Sequence, residues 1–310
     1  ERLADDLPLA GLRLVLDPGH VGGRWADVEG RNFRIAASDF WVREGELVLE
    51  VAQRVQAQLT ELGATVTLTR DNNEPVNPKA PEDYLQRALA EAGPYEGSTT
   101  DALGVYADSV IRRTNRLAAV TGELVARARL INETLQPDAV LSLHINAAPW
   151  PEGASFTLVE SNHLHMLIFG CLSVKELEQS GQREALLQKL MNGSVVAEVR
   201  LAKALAASFK KGTGLPPSSY EGTNAVLVAG SEGYIWSRNL MLLRQVECPI
   251  VLLEPYVANS TEVYPRIQSA LLERVAGGFA KDDLLLEYVD AVVGGILSTY
   301  GNSLIDSDME

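Results

Sequence analysis

The chain has 310 residues and a formal net charge of −14. With no basic tract to offset it, that acidity argues against nucleic acid as a partner. No run of about 18 apolar residues occurs, so no membrane-spanning segment is expected, while an apolar content of 46% allows a sizeable core in one large domain or two small ones.

The chain opens Glu1-Arg2-Leu3 without an initiator Met. This reads as a mature or trimmed form from which any export signal has gone. After a polar lead, residues 12–17 read as a first strand: Leu14, Val15 and Leu16 are apolar, and Asp17-Pro18-Gly19 stops them abruptly. His20 follows at once. In an open α/β sheet ligands bind outside the carboxyl ends of the strands, so a rigid element presents this histidine. Residues 21–43 are irregular. Leu47, Val48, Val51, Ala52, Val55, Leu59 and Leu62 then recur at helical spacing, and Gly63 ends the helix. Residues 64–69 alternate as a second strand. A strand, helix and strand in this order favour a parallel sheet.

Residues 71–109 hold Pro75, Pro78, Pro81 and Pro94 and read as a surface excursion with one helical turn near 84–92. A long helical pattern covers 110–135, broken by Pro137-Asp138. Residues 139–144 form a third strand and 154–159 a fourth. A second excursion, 160–192, joins an apolar start (Leu164, Met166, Leu167, Ile168, Phe169) to a charged helical end. Residues 195–209 read as a helix, 240–243 and 250–253 as strands, and 283–300 as an amphipathic helix. No internal repeat or low-complexity linker appears. The expectation is an α/β fold: a mostly parallel twisted sheet flanked by helices, one domain over 1–310. Its core spans about 12–72, 110–160 and 193–300, with long inserts at about 73–109 and 160–192.

Only four histidines are present: His20, His144, His163 and His165. His144 follows the apolar strand Ala139-Val140-Leu141-Ser142-Leu143, so two histidines stand at strand ends of one sheet. Neighbouring strands lie about 4.8 Å apart, close enough for such residues to converge on one ion. Glu44 opens the first helix at the same edge. An acid there either complements the helix dipole or faces the site. Two histidines and a glutamate leave one position open on a tetrahedral zinc ion, as hydrolytic sites require. Glu254 ends the apolar run 249–253. A carboxylate at the end of a buried strand is expensive without a partner; it reads as a salt bridge, a helix cap or a general base. Cys171 and Cys248 are far apart, and Cys248 beside a core-like strand reads as a buried thiol.

Five blocks, in order, resemble the zinc-dependent N-acetylmuramoyl-L-alanine amidases of bacterial cell-wall turnover, the type-3 group. Residues 14–20 are similar to the family's V-I-D-P-G-H opening. Residues 44–52 resemble its E-K-D-x-x-L-x-I-A helix start, and Leu68-Thr69-Arg70 its L-T-R strand end. Residues 127–132 with 138–146 resemble R-A-x-x-A-N and D-x-x-x-S-I-H-A-N. Residues 249–254 with Asn259 and Glu262 resemble P-x-V-L-V-E-x-x-F-x-S-N-x-x-E. The resemblance implies zinc held by His20, Glu44 and His144, and Glu254 as catalytic acid/base. The substrate implied is peptidoglycan or its muropeptide fragments, cut between N-acetylmuramic acid and L-alanine of the stem peptide. It also implies a periplasmic or extracellular location. Val21 stands where the family usually has glycine, and the loop behind His20 is longer than usual, so Glu29 and Glu46 are rival ligands. The stretch after Glu254 is one residue shorter than the family pattern.

The segment 160–192 falls where the cell-division amidases of the family carry a regulatory helix. A lid or packed outer layer is the plain reading. The alternative is a self-blocking helix with Glu176 or Glu178 reaching the metal, released by a protein activator. His163 and His165, two apart on a strand, share a face; they read as packed or surface histidines, with substrate contact or a second metal site as the functional alternative. Trp41, Trp150 and Trp236 are candidates for stacking on sugar rings or for core packing. Arg127 and Asn132 read as anchors of a helix to the sheet.

Overall fold

The computed structural model describes residues 7–151, 156–220, 223–279 and 282–301. Its strands, in chain order, are β1 (Arg13–Pro18), β2 (Asn32–Phe33), β3 (Val42–Arg43), β4 (Thr65–Leu68), β5 (Ala139–Leu143), β6 (Leu164–Phe169), β7 (Ala225–Leu227), β8 (Ile235–Arg238) and β9 (Ile250–Pro255). Seven of them form one sheet in the order β4-β1-β5-β9-β6-β8-β7, and β2 pairs with β3 separately. The pairings β1–β4, β1–β5, β5–β9 and β6–β8 are parallel, while β6–β9 and β7–β8 are antiparallel. The mostly parallel α/β sheet is thus present.

Both faces of the sheet are covered, which is why the central strands read as unbroken apolar runs. Every residue of β5 and β6 is buried. On one face Leu14, Leu141, Met166 and Leu253 pack against the helices Glu44–Glu61, Ser194–Thr213 and Leu284–Tyr300. On the other, Val15, Val140, Leu167 and Leu252 pack against Ala128 and Ile131 and against the short helix Met241–Gln245. Among the described residues no helix is long and apolar enough to cross a membrane.

Several elements differ from the sequence expectation. Residues 164–169, expected in an insert beginning near 160, are β6, a strand inside the sheet between β9 and β8. An apolar run buried on both faces carries no period, so sequence pattern does not separate it from a helix. The fourth strand expected over 154–159 lies partly outside the described residues; 156–158 form no strand, and Val159 makes one bridge to Ser260. Residues 241–245 are helical rather than a strand, which turns Leu242 and Leu243 together into the second core. The long helix begins earlier than 110, at Thr100, where the Thr99 side chain accepts from Ala102 N. Part of the first excursion is ordered helix: Leu85–Ala92 packs on Thr100–Arg116 around Ala88, Val110 and Leu117.

Candidate metal centre

The site is built at the carboxyl ends of β1, β5 and β9. Asp17 of β1 is buried, and its carboxylate accepts from Thr69 Oγ1 at 2.7 Å, Ser142 Oγ at 2.8 Å and Arg127 Nη1 at 3.1 Å. Burial raises its pKa, but the Arg127 charge and the two hydroxyl bonds outweigh burial and hold it below the usual range. Asp17 therefore ties β1 to its two neighbours and leaves the chemistry to the residues after it.

The turn behind Asp17 is fixed by two buried guanidinium groups. Arg70 donates to the carbonyls of Pro18, Gly19, His20 and Gly45. Arg127 donates to Pro18 O and His20 O, both at 2.6 Å, and to Glu123. His20 itself adopts a left-handed backbone with φ 55°, a conformation that a non-glycine residue keeps only where its surroundings enforce it. Two glycines permit the close packing. A Cβ on Gly19 would stand 2.3 Å from the His144 ring, and one on Gly45 would stand 2.5 Å from Val21 O.

His20, Glu44 and His144 converge, and one ligand atom from each lies within 4.8 Å of the others. His20 Nε2 is 3.3 Å from Glu44 Oε2, and His144 Nδ1 is 2.9 Å from Glu44 Oε1. The imidazoles meet edge to face with centroids 5.0 Å apart. Burial of Glu44 raises its pKa, yet His20, and then the hydrogen bond and charge of His144, hold it down to about 2. The carboxylate is thus ionised. Burial lowers the His144 pKa, and the Glu44 hydrogen bond and charge more than reverse that. Behind His20, Glu29 Oε1 lies 3.4 Å from Nδ1, and Glu29 Oε2 accepts from Val21 N. A carboxylate on the second ring nitrogen is the usual support of a metal-binding histidine. Glu29 therefore stands outside the three-residue group, and Glu46 is spent on Gly23 N and Arg43.

Glu254 lines the same cavity of about 300 Å³ as His20 and His144. Opposite it across the β6–β9 ladder stands His165, whose Nε2 hydrogen-bonds Glu254 Oε2. The Tyr220 hydroxyl lies 3.2 Å from the same nitrogen. Burial raises the Glu254 pKa, and the bond and charge of His165, with His144, bring it below the ordinary value. His165 as the partner of Glu254 was missed in the sequence. The signal available was parity: His163 and His165 share a face, and their rings stack 5.7 Å apart. His163 is held by Asn146 and Ser161.

Other candidates fall outside the group. Among the described residues the three-residue cluster is the one set with metal-ligand geometry, and it includes neither Glu176 nor Glu178. Glu176 instead caps the short helix Val174–Leu177 through Ser173 and accepts from Asn239. Trp150 packs between Phe33 and Phe156 and lines a second cavity, of about 280 Å³, that Glu44 also lines. Trp41 is half exposed beneath Arg34, and Trp236 packs on Tyr220. Asn132 does anchor its helical segment, exchanging bonds with Gln245 O and Glu247 N. Cys171 and Cys248 are free thiols, and burial pushes that of Cys248 up to about 11.

The class that fold and cluster define is an α/β protein with a His-Glu-His ligand group at the carboxyl edge of a parallel sheet. Residues 14–280 match the model of the N-acetylmuramoyl-L-alanine amidase family, and the chain belongs to that family. It is 28% identical over 153 residues to a germination-specific N-acetylmuramoyl-L-alanine amidase of Bacillus subtilis, an alignment covering 48% of this chain and 46% of that one. The match thus spans about half the length of that curated relative. The fold is similar to a crystal structure of the N-acetylmuramyl-L-alanine amidase from Mycobacterium smegmatis, with TM-score 0.51 and 21% identity over 95% of this chain and 99% of that one. It is also similar to an apo form of the corresponding amidase from Mycobacterium abscessus, with TM-score 0.50 and 19% identity over 94% and 99% of the two chains.

Proposed function

We propose that this protein hydrolyses the amide between N-acetylmuramic acid and L-alanine of the peptidoglycan stem peptide, with zinc held by His20, Glu44 and His144. The observation that carries the reading is the placement of Glu254 on the cavity that His20 and His144 of the His-Glu-His group also line. The donor set fits the metal: two imidazoles and one carboxylate, the ligands of open hydrolytic zinc sites, with Glu29 behind His20 as an outer support. When bound, zinc supplies a Lewis-acid charge that polarises an amide carbonyl and eases the ionisation of water.

Glu254 is the acid/base of this reading. Its depressed pKa keeps it ionised at neutral pH, so it can accept a proton from water and pass it to the departing amine. His165 occupies Oε2, so we assign the proton to Oε1. Arg70 and Arg127 keep the His20 turn in its left-handed backbone, which orients one ligand without touching substrate. The same reading puts the chain in the cell envelope, where its substrate lies.

Digestion of purified peptidoglycan by the parent chain and by Glu254→Ala, with metal content measured alongside, tests this. The expected result is one zinc per chain in both proteins, with free stem peptides beginning at L-alanine released by the parent alone. Cleavage within the stem peptide, or a parent chain that takes up no zinc, refutes the assignment.

A further inference from the structure

The charged groups of the catalytic cavity are satisfied with one exception on its inner wall. Arg127 is paired with Asp17 and Glu123 and also donates to two carbonyls, and Glu29 faces His20. Arg238, at the end of β8, lines the same cavity as Glu254, His20 and His144. Among the described residues the one acceptor its guanidinium meets is the Tyr220 hydroxyl, at 3.4 Å, and the guanidinium leans over the Tyr220 ring at 5.7 Å. No described carboxylate pairs with it. A guanidinium carries five N–H donors in a fork suited to a carboxylate, and in a chain of net charge −14 a half-buried arginine lacking an acidic partner stands out. Arg31 also lines the cavity, but it is exposed and its charge acts on Glu44.

Tyr220 fixes where Arg238 sits relative to the chemistry. Its hydroxyl touches both Arg238 Nη1 and His165 Nε2, and His165 in turn holds Glu254. The cation therefore lies on the Glu254 side of the cavity, beyond the acid/base. Extended peptide advances about 3.3–3.6 Å per residue, so the guanidinium is within reach of a group one to three residues past the cleaved amide. Leu240, Met241, Leu242 and Leu252 line the same cavity, an apolar surface suited to the uncharged part of a short peptide.

We propose that Arg238 binds a carboxylate on the peptide portion of the substrate, so that the site selects acidic stem peptides over their carboxamides. The proposal rests on the amidase reading, because that reading places the leaving peptide at Glu254. The test is calorimetric binding, in the zinc-loaded Glu254→Gln background, of an N-acetylmuramoyl peptide with free carboxylates and of the same peptide fully amidated. The acid is expected to bind at least about tenfold tighter, the strength of one charge-assisted contact. Arg238→Gln removes the difference, Arg238→Lys keeps part of it and Arg31→Gln keeps it whole. Equal affinities in the parent background, no binding of the acid, or a preference that survives Arg238→Gln overturns the proposal. Turnover of the same two peptides by the active chain is followed in parallel. A chain that shows the Arg238-dependent preference but cleaves neither peptide refutes the amidase activity and leaves the carboxylate site standing.

Discussion

His165 and Glu254 are cross-strand partners in the antiparallel pair β6–β9, and the histidine Nε2 hydrogen-bonds the carboxylate. The pairing depends on strand direction: β9 runs parallel to β5 and antiparallel to β6. The carboxyl end of β9 thus meets the start of β6, where the backbone ladder holds the two side chains on one face. His165 Nδ1 is buried without a partner. An imidazole that donates from Nε2 leaves only a lone pair unmet at Nδ1, which costs less than an unmet N–H of the cation.

Loss of that donor should lower turnover and move the pH profile. His165→Leu leaves Glu254 without the bond that holds down its pKa, so the pKa rises. The ionised form is the active base, and activity is lost as pH falls through that pKa. The acid limb of kcat/KM therefore shifts to higher pH. A bond to a charged group contributes about 1.5–3 kcal/mol, so kcat should fall about 10- to 100-fold with KM little changed. His165→Gln, which keeps an N–H donor, should recover part of both. An unmoved acid limb in His165→Leu, or a loss confined to KM, would show that the residue only packs.

Glu29 offers a separate check on metal support. Its carboxylate backs Nδ1 of His20, and such outer partners typically account for about 10–100-fold in metal affinity. Glu29→Gln should weaken zinc binding by that factor in competition with a chelating dye, while circular dichroism stays that of the parent. If Glu29 were a ligand in its own right, the substitution would abolish stoichiometric zinc instead.

Much of the site was legible because strand ends and helix starts leave strong local marks. Asp-Pro-Gly before His20, the apolar run before His144 and the acid opening a long helix each announce their position without knowledge of the fold. His165 left no such mark. It sits in a run with no alternation, and its partner is 89 residues away. Only strand order and register bring the two together, and neither is written locally. Glu29 was ambiguous for a related reason: its place depends on the path of residues 21–43, where the helix Trp25–Glu29 and the β2–β3 pair fold the chain back onto His20. Arg127, expected to anchor its helix to the sheet, does so through Asp17 and the Pro18 carbonyl of β1; its further bond to the His20 carbonyl was not legible, because backbone acceptors have no sequence signature.

Asp17 should control acid stability. Its pKa is depressed in the folded chain, so its contribution is complete above the unfolded value of about 3.9 and is lost as pH falls through the folded value. Asp17→Asn keeps the shape but leaves the Arg127 charge short of one buried partner, at a cost of about 3 kcal/mol near neutral pH. Urea unfolding of the two proteins at pH 7 and again at pH 3 should show the gap narrowing at the lower pH. A gap of the same size at both values would mean that Asp17 acts through its hydroxyl partners rather than through its charge.

Zinc binding should itself stabilise the fold, because the three ligands arrive from separate parts of the chain: the turn after β1, the start of the helix Glu44–Glu61 and the end of β5. An unfolded chain does not hold them together, so a metal that binds only the native state adds about 2.7 kcal/mol at a hundredfold excess over Kd. At roughly 2–4 °C per kcal/mol for a domain of this size, Tm should rise by about 5–10 °C on zinc addition and fall back with chelator. Glu44→Gln removes the carboxylate that faces both imidazoles, and its Tm should not respond to zinc in that range. Glu46→Gln, which alters an acid two positions along the same helix but outside the cluster, should respond as the parent does. The reverse pattern, with Glu46→Gln silent and Glu44→Gln responsive, would transfer the ligand role from Glu44 to Glu46.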